Sequence, residues 1–172
     1  MSGESSRDQE FSEFVRARRS RLVGAAYLLC GDRYAAEDLV QTALTKLYAA
    51  WPRIHRQGAE DAYLRKILVR TSIDAGRRAW RRELTSDQLP DESVPGPDLD
   101  GRDELVRALA ALGPRQRRIV VLRYWLDLSI DEVAADLRVS TGTVKSQSAR
   151  ALDNLRARLT ASRTDALIQE QP

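Results

Sequence analysis

The sequence predicts an all-α protein: two small helical domains joined by a flexible acidic linker. Three observations carry this expectation. Apolar residues recur at intervals of three and four along nearly the whole chain, the period of one helix face. Alternating apolar and polar runs, the mark of strands, are almost absent. One stretch, ELTSDQLPDESVPGPDLDG, has no apolar period and contains the breakers Pro90, Pro95, Gly96 and Pro97. Residues 83–104 hold eight acids and one base, Arg102. Such a segment buries too little apolar area to fold by itself. It divides the chain into a domain at 8–84, a linker at 85–101, a second domain at 102–161 and a tail at 162–172.

In the first domain, one helix carries Phe11, Phe14, Val15, Leu22, Ala25, Ala26 and Leu29 on one side. It ends near Cys30-Gly31, since glycine commonly follows a helix end. A second helix runs from about Arg33 to Trp51, with Ala36, Leu39, Val40, Ala43, Leu44, Leu47, Tyr48 and Trp51 as its apolar stripe. Pro52 is expected to end it, because proline disfavours helix in the residue before it. The opposite face holds Glu37, Asp38, Gln41, Thr42 and Thr45, which periodicity alone reads as solvated surface. A third helix begins near Ala59–Tyr63 and reaches about Glu83, with a bend expected at Gly76. Leu64, Ile67, Leu68, Thr71 and Ala75 line its core side, and Asp74 is spaced to pair with Arg77 and Arg78. Residues 62–82 carry seven bases and one acid. Cations that follow a backbone, with Tyr63, Trp80 and Trp51 to stack on bases, suit single-stranded nucleic acid. A solvated basic helix with its tryptophan in the core reads the same residues equally well.

In the second domain, Leu105, Val106, Ala108, Leu109 and Leu112 form a short amphipathic helix. Gly113-Pro114 breaks it and starts the next, which carries Ile119, Val120, Leu122, Tyr124 and Trp125. The most specific segment follows: LSIDEVAADLRVSTGTVKSQSARALDNLRARL. Ser129 and Glu132 form a capping box that opens a helix at Ile130, with Val133, Ala134 and Leu137 buried. Arg138-Val139-Ser140 makes a turn, and Ser140 is a good N-cap for the next helix. There Val144, Ser148, Ala151, Leu152, Leu155 and Leu159 face inward. Gly142, Thr143, Ser146, Ala149, Arg150 and Asp153 face outward, with Lys145 and Gln147 on the flanks.

This pattern is that of a helix-turn-helix. Ala134 lets the two helices approach, and Val139 and Val144 bury the turn. The small and polar start of the second helix lets its backbone enter a major groove. Gln147 suits adenine edges, and Lys145 or Arg150 suits guanine or phosphate. Arg138 occupies the turn position often held by glycine, so an uncommon positive φ or a differently shaped turn is expected. An ordinary αα-hairpin is the alternative.

Composition narrows the function. The net charge is only +3, but there are 25 Arg against 3 Lys. Arginine binds phosphate bidentately, although GC-rich codon usage gives the same bias. Cys30 is the only cysteine, so neither an intramolecular disulfide nor a thiolate zinc cluster is available. His55 is the only histidine and no phosphate-binding glycine loop is present, so no catalytic residue, metal or cofactor is expected. No apolar run approaches the roughly 20 residues of a membrane span. The N-terminus, MSGESSRDQE, lacks the order of a signal peptide, so a cytoplasmic protein is expected.

AEDLVQTAL, AYLRKILVRTSIDAGRRAWRR, the acidic linker, LGPRQRRIVVLRYW and LDLSIDEVAADLRVSTGTVKSQSARAL occur in that order. Together they resemble the extracytoplasmic-function sigma factors, over roughly residues 10–160. The resemblance is strongest to the actinobacterial group that acts in cell-envelope stress. AEDLVQ and GTVKS are specific together, though each alone is weak.

The resemblance implies a sigma region 2 bundle, then a region 4 helix-turn-helix, and a factor that brings RNA polymerase core enzyme to promoter DNA. Asp38, Leu39, Gln41, Thr42 and Thr45 would meet the β′ clamp helices. Tyr63, Arg65, Lys66, Arg70, Asp74, Arg77 and Arg78 would recognise and melt the minus-ten element. Thr143, Lys145, Ser146, Gln147 and Arg150 would read the minus-thirty-five duplex, while Arg117 and Arg118 would hold phosphates or the β flap. The linker would thread the channel later taken by RNA, or serve only as a spacer.

Ala149 stands where some relatives carry a bulky aromatic, so base contacts are expected to differ. The scarcity of aromatics in the melting segment implies weaker melting and stricter promoter choice. The sequence leaves open an anti-sigma factor as a further partner. A stand-alone DNA-binding regulator and a protein–protein module with basic helices are the competing readings.

Overall fold

The computed structural model describes residues 2–55, 58–85 and 102–169, with side chains described over 6–55, 58–78 and 104–161. The described residues form seven helices and no strand. The chain divides into two compact units between Glu92 and Ser93, within the stretch read as the linker. The linker expectation itself lies outside the described residues except at Thr85, as does the side chain of Trp80.

The first unit holds α1 (Ser2–Cys30), α2 (Arg33–Ile54) and α3 (Glu60–Thr85). α2 packs against both neighbours, because its apolar stripe is wide enough to serve two interfaces. Gly31 ends α1 at φ 75°, and its N–H donates to the Tyr27 carbonyl at 2.8 Å. Asp32 then caps α2, its carboxylate accepting from the Ala35 N–H at 2.7 Å.

Trp51 is 1% exposed, with Phe11 and Phe14 edge-on at 5.1 Å each and His55 stacked at 4.7 Å. This ring is therefore core, not a platform for bases. Truncating a buried ring of this size costs about 3–5 kcal/mol.

α2 does not stop at Pro52; it continues to Ile54. Proline removes the N–H that would bond the carbonyl four residues back, that of Tyr48. Arg7 Nη2 donates to this carbonyl at 3.3 Å, and its guanidinium lies 4.5 Å from the Tyr48 ring centre. The His55 N–H restores the ladder onto Trp51. A side chain from α1 thus replaces the missing backbone donor.

α3 runs unbroken through Gly76. Among its described side chains, Leu64, Leu68 and Val69 are buried, whereas Ala75 is exposed and Ile67 and Thr71 are half-buried. Over these side chains the buried run stops before Ala75. Asp61, in the first turn, receives Arg18 of α1 bidentately at 2.6 and 2.9 Å. That hydrogen bonding from Arg18 holds the Asp61 carboxyl below its ordinary range, against the opposing effect of burial.

The second unit holds α4 (Arg102–Ala110), α5 (Pro114–Val120), α6 (Ile130–Leu137) and α7 (Thr141–Gln169). Val106, Leu109, Ile119, Leu122, Val133, Val144 and Ala151 are buried in it. α5 passes into a π-helical turn at Val121–Trp125, where the Leu126 N–H reaches the Val121 carbonyl at 3.1 Å. The Arg123 guanidinium donates to the Leu128 carbonyl and closes the turn. Tyr124 and Trp125 are left exposed. Residues 162–169, read as tail, continue α7, since no glycine or proline interrupts them.

Candidate nucleic-acid interface

The turn between α6 and α7 is built as its residues require. Ser129 Oγ accepts from the Glu132 N–H at 3.2 Å, and the Glu132 carboxylate accepts from the Ser129 N–H at 2.9 Å. Both halves of the capping box are present. Arg138 sits at φ 55°, ψ 49°, the left-handed conformation its position demands. A non-glycine residue there costs about 1–2 kcal/mol. Ser140 Oγ accepts from the Thr143 N–H at 3.0 Å and lies 2.9 Å from the Thr143 hydroxyl, so Thr143 is partly committed to the cap.

Val144, Ser148, Ala151 and Leu155 turn inward, while Leu152 and Leu159 are half-buried. Lys145, Ser146, Ala149 and Arg150 are exposed. Among the described residues, Lys145 and Arg150 have no hydrogen bond or ion pair. Gln147 is half-buried, and Gln116 of α5 donates from Nε2 to its Oε1 at 3.1 Å. Arg117 and Arg118 are half-buried and already engaged within the protein, so they are less available to phosphate than Lys145.

A Cβ added at Gly142 would meet only Ser140 Oγ, at 3.7 Å. Nothing inside the unit requires glycine there.

In the first unit, Tyr63, Lys66, Arg70 and Arg77 fall at helical spacing along one side of α3. Lys66, Arg70, Arg77 and Arg78 are exposed, while Tyr63 is half-buried. Arg65 leaves this side: it lies one turn before buried Val69 and acts on Asp61. Asp74 makes no ion pair with Arg77 or Arg78 among the described residues.

Beside Tyr63 and Arg70 lies an open groove of about 650 Å³, lined from α2 by Lys46, Pro52 and Arg53. Lys46 Nζ reaches Thr71 Oγ1 at 3.5 Å. Lys46 and Arg53 belong to no motif in the sequence. Their seven-residue spacing on α2 is the signal that would have placed them on one face.

Elsewhere on the polar side of α2, Asp38, Gln41 and Thr45 are exposed and Thr42 is half-buried. Asp38 and Gln41 have no side-chain partner among the described residues, whereas the Thr45 hydroxyl donates back to the Gln41 carbonyl at 2.9 Å. Glu37 is held by Arg19 at 2.9 Å. Leu39 does not belong to this face. It is 4% exposed, and the apolar period of α2 turns it into the core.

Two family models match these units: Sigma-70 region 2 over residues 14–82, and Sigma-70, region 4 over residues 102–155. The chain belongs to the sigma-70 family. It is 39% identical to the RNA polymerase sigma-E factor of Streptomyces coelicolor over 169 residues, covering 94% of this chain and 93% of that one. It is 31% identical to the ECF RNA polymerase sigma factor SigE of Mycolicibacterium smegmatis over 156 residues, covering 85% of this chain and 60% of that one. Among solved structures it is similar to the sigma factor RpoE in complex with the anti-sigma factor NepR from Bartonella quintana. That match has a TM-score of 0.77 and 28% identity, covering 88% of this chain and 98% of that chain. The protein is an extracytoplasmic-function sigma factor, a non-enzymatic factor for transcription initiation by RNA polymerase. The region 2 match of this sigma factor ends within α3, and its region 4 match ends within α7.

Proposed function

We propose that this sigma factor divides its work among three helix faces. The face of α2 at Asp38, Gln41, Thr42 and Thr45 binds the β′ clamp helices of the polymerase. The side of α3 at Tyr63, Lys66, Arg70, Arg77 and Arg78 recognises and melts the minus-ten element. Lys46 and Arg53 add cations beside the Tyr63 ring, and such cations with a ring suit a single strand. α7 reads the minus-thirty-five duplex through Thr143, Lys145, Ser146, Gln147 and Arg150. Arg117 and Arg118 buttress it and contact phosphate or the β flap with whatever valence their internal contacts leave.

The observation that carries this reading is the set of exposed polar side chains without internal partners: Asp38 and Gln41 on α2, Lys145 and Arg150 on α7. Exposed groups that contribute nothing to the fold are free to be spent on a partner. The acidic linker lies between them in sequence. It threads the basic channel later taken by RNA, where like charge lets the transcript displace it.

An anti-sigma factor fits as a regulator, because a structural neighbour was solved with one. The setting is cytoplasmic, and the promoters are those of a cell-envelope stress response. In vitro transcription with core enzyme across a genomic promoter library tests the reading. Start sites that depend on the added chain support it, and their absence contradicts it.

A further inference from the structure

We infer that Gln116 is a positioning residue that holds the Gln147 side chain in place to read duplex DNA. This rests on the proposed reading of α7 as the duplex-reading helix. Gln116 lies in the first turn of α5, and Gln147 lies 31 residues later on α7. The two helices pack against each other, and both glutamines are half-buried at their junction.

A glutamine on a helix surface carries free rotamers and an amide that can face either way. Ordering such a side chain costs up to about 2 kcal/mol. Gln116 meets part of that cost before DNA arrives. Its Nε2 donates to Gln147 Oε1 at 3.1 Å, which holds the Gln147 side chain against α5.

With one oxygen lone pair occupied, Gln147 keeps one acceptor lone pair and both Nε2 hydrogens. That set matches adenine in the major groove: Nε2 donates to N7, and the remaining lone pair accepts from N6. Guanine opposes it, because its O6 is an acceptor facing the Gln147 oxygen. Gln147 held this way reads adenine, and Gln116 withholds the rotamers that would carry its amide off the base edge.

Gln116→Glu inverts the arrangement at constant shape. A carboxylate only accepts. It draws Gln147 Nε2 toward itself and turns Oε1 outward, which favours the cytosine N4 donor. Gln116→Ala releases the Gln147 side chain to its other rotamers.

The test uses the full chain with core enzyme and a promoter library carrying all four base pairs at each position of the upstream element. Transcripts are counted for wild type, Gln147→Ala, Gln116→Ala, Gln116→Glu and the Gln116→Glu/Gln147→Ala pair. Gln116→Ala is expected to reduce adenine discrimination at one base pair by about two- to tenfold, the scale of one neutral hydrogen bond. Gln116→Glu is expected to move the preference at that same pair toward cytosine. Adding it to Gln147→Ala should change nothing further. If Gln147→Ala alters no position, the reading of α7 fails. If Gln147→Ala flattens one pair while both Gln116 variants leave it intact, or lower activity equally at every position, the positioning role is overturned and the reading of α7 stands.

Discussion

The outer faces of α2 and α7 both carry exposed polar residues, but several of them are held differently. On α7, Thr143 is tied to Ser140, Ser146 Oγ donates to the Thr143 carbonyl at 3.2 Å, and Gln147 is held by Gln116. On α2, Asp38 and Gln41 are held by nothing among the described residues. Groups fixed before contact lose little freedom on binding and tolerate few alternatives. Side chains left loose can settle against another protein's surface, where rotamer change is common. On the proposed reading, this contrast suits Gln147 and its neighbours on α7 to reading bases and Asp38 and Gln41 on α2 to docking. Lys145 and Arg150, equally unpartnered among the described residues, are left for phosphate.

The largest expected effect tests the docking side. Asp38→Ala with Gln41→Ala should weaken core-enzyme binding by about 2–4 kcal/mol, the scale of an interface hot spot. Thermal stability should hold within about 0.5 kcal/mol, because both residues are exposed and contribute nothing to the fold. A pull-down titration beside a melting curve measures both. A large fall in melting temperature would remove the distinction between the two faces.

Gly142→Ala should show opposite signs in two assays. The added methyl meets nothing closer than 3.7 Å, so folding should gain up to about 1 kcal/mol. Promoter binding should fall, because the helix can no longer approach DNA as closely. Equal or better promoter binding would mean that backbone approach at Gly142 is not used.

Arg138→Gly relieves the left-handed turn. The gain is set against the larger chain entropy of glycine, leaving about 0.5 kcal/mol of stabilisation. Chemical denaturation reads it, and a loss of stability would show that the arginine side chain contributes contacts that outweigh the strain.

Asp61→Asn removes the bidentate partner of Arg18. The pair is largely exposed, so after discounting for solvent screening the cost near neutral pH is about 0.5 kcal/mol. Because the folded carboxyl titrates below its unfolded value, this stability is present above the unfolded value. It is lost as pH falls through the folded one. Melting curves of wild type and variant should therefore converge in acid, and a difference that persists there would point to lost packing instead of lost charge.

Much of the fold was legible because it is local. Gly31, the Ser129–Glu132 box and the left-handed Arg138 each follow from residues within one turn of themselves. What the sequence hid is long-range. Pro52 reads as a helix stop until Arg7 of α1 supplies the donor that proline lacks. Gln116 sits among arginines, and nothing in its neighbourhood announces Gln147. Lys46 and Arg53 gain meaning only when α3 places Tyr63 and Arg70 across a groove from them. Leu39 was drawn to the surface by resemblance while its own periodicity already placed it inside.

The division of labour is tested most directly by one crossed measurement. Asp38→Ala/Gln41→Ala and Lys145→Ala/Arg150→Ala would be compared for core-enzyme affinity, and for the salt dependence of promoter-duplex binding by the isolated chain. The α2 variant should lose core affinity and keep the salt slope. The α7 variant should keep core affinity and lower the slope by about one unit per phosphate contact removed. If both variants lose core affinity equally, or neither changes the slope, the assignment of docking to α2 and reading to α7 is wrong.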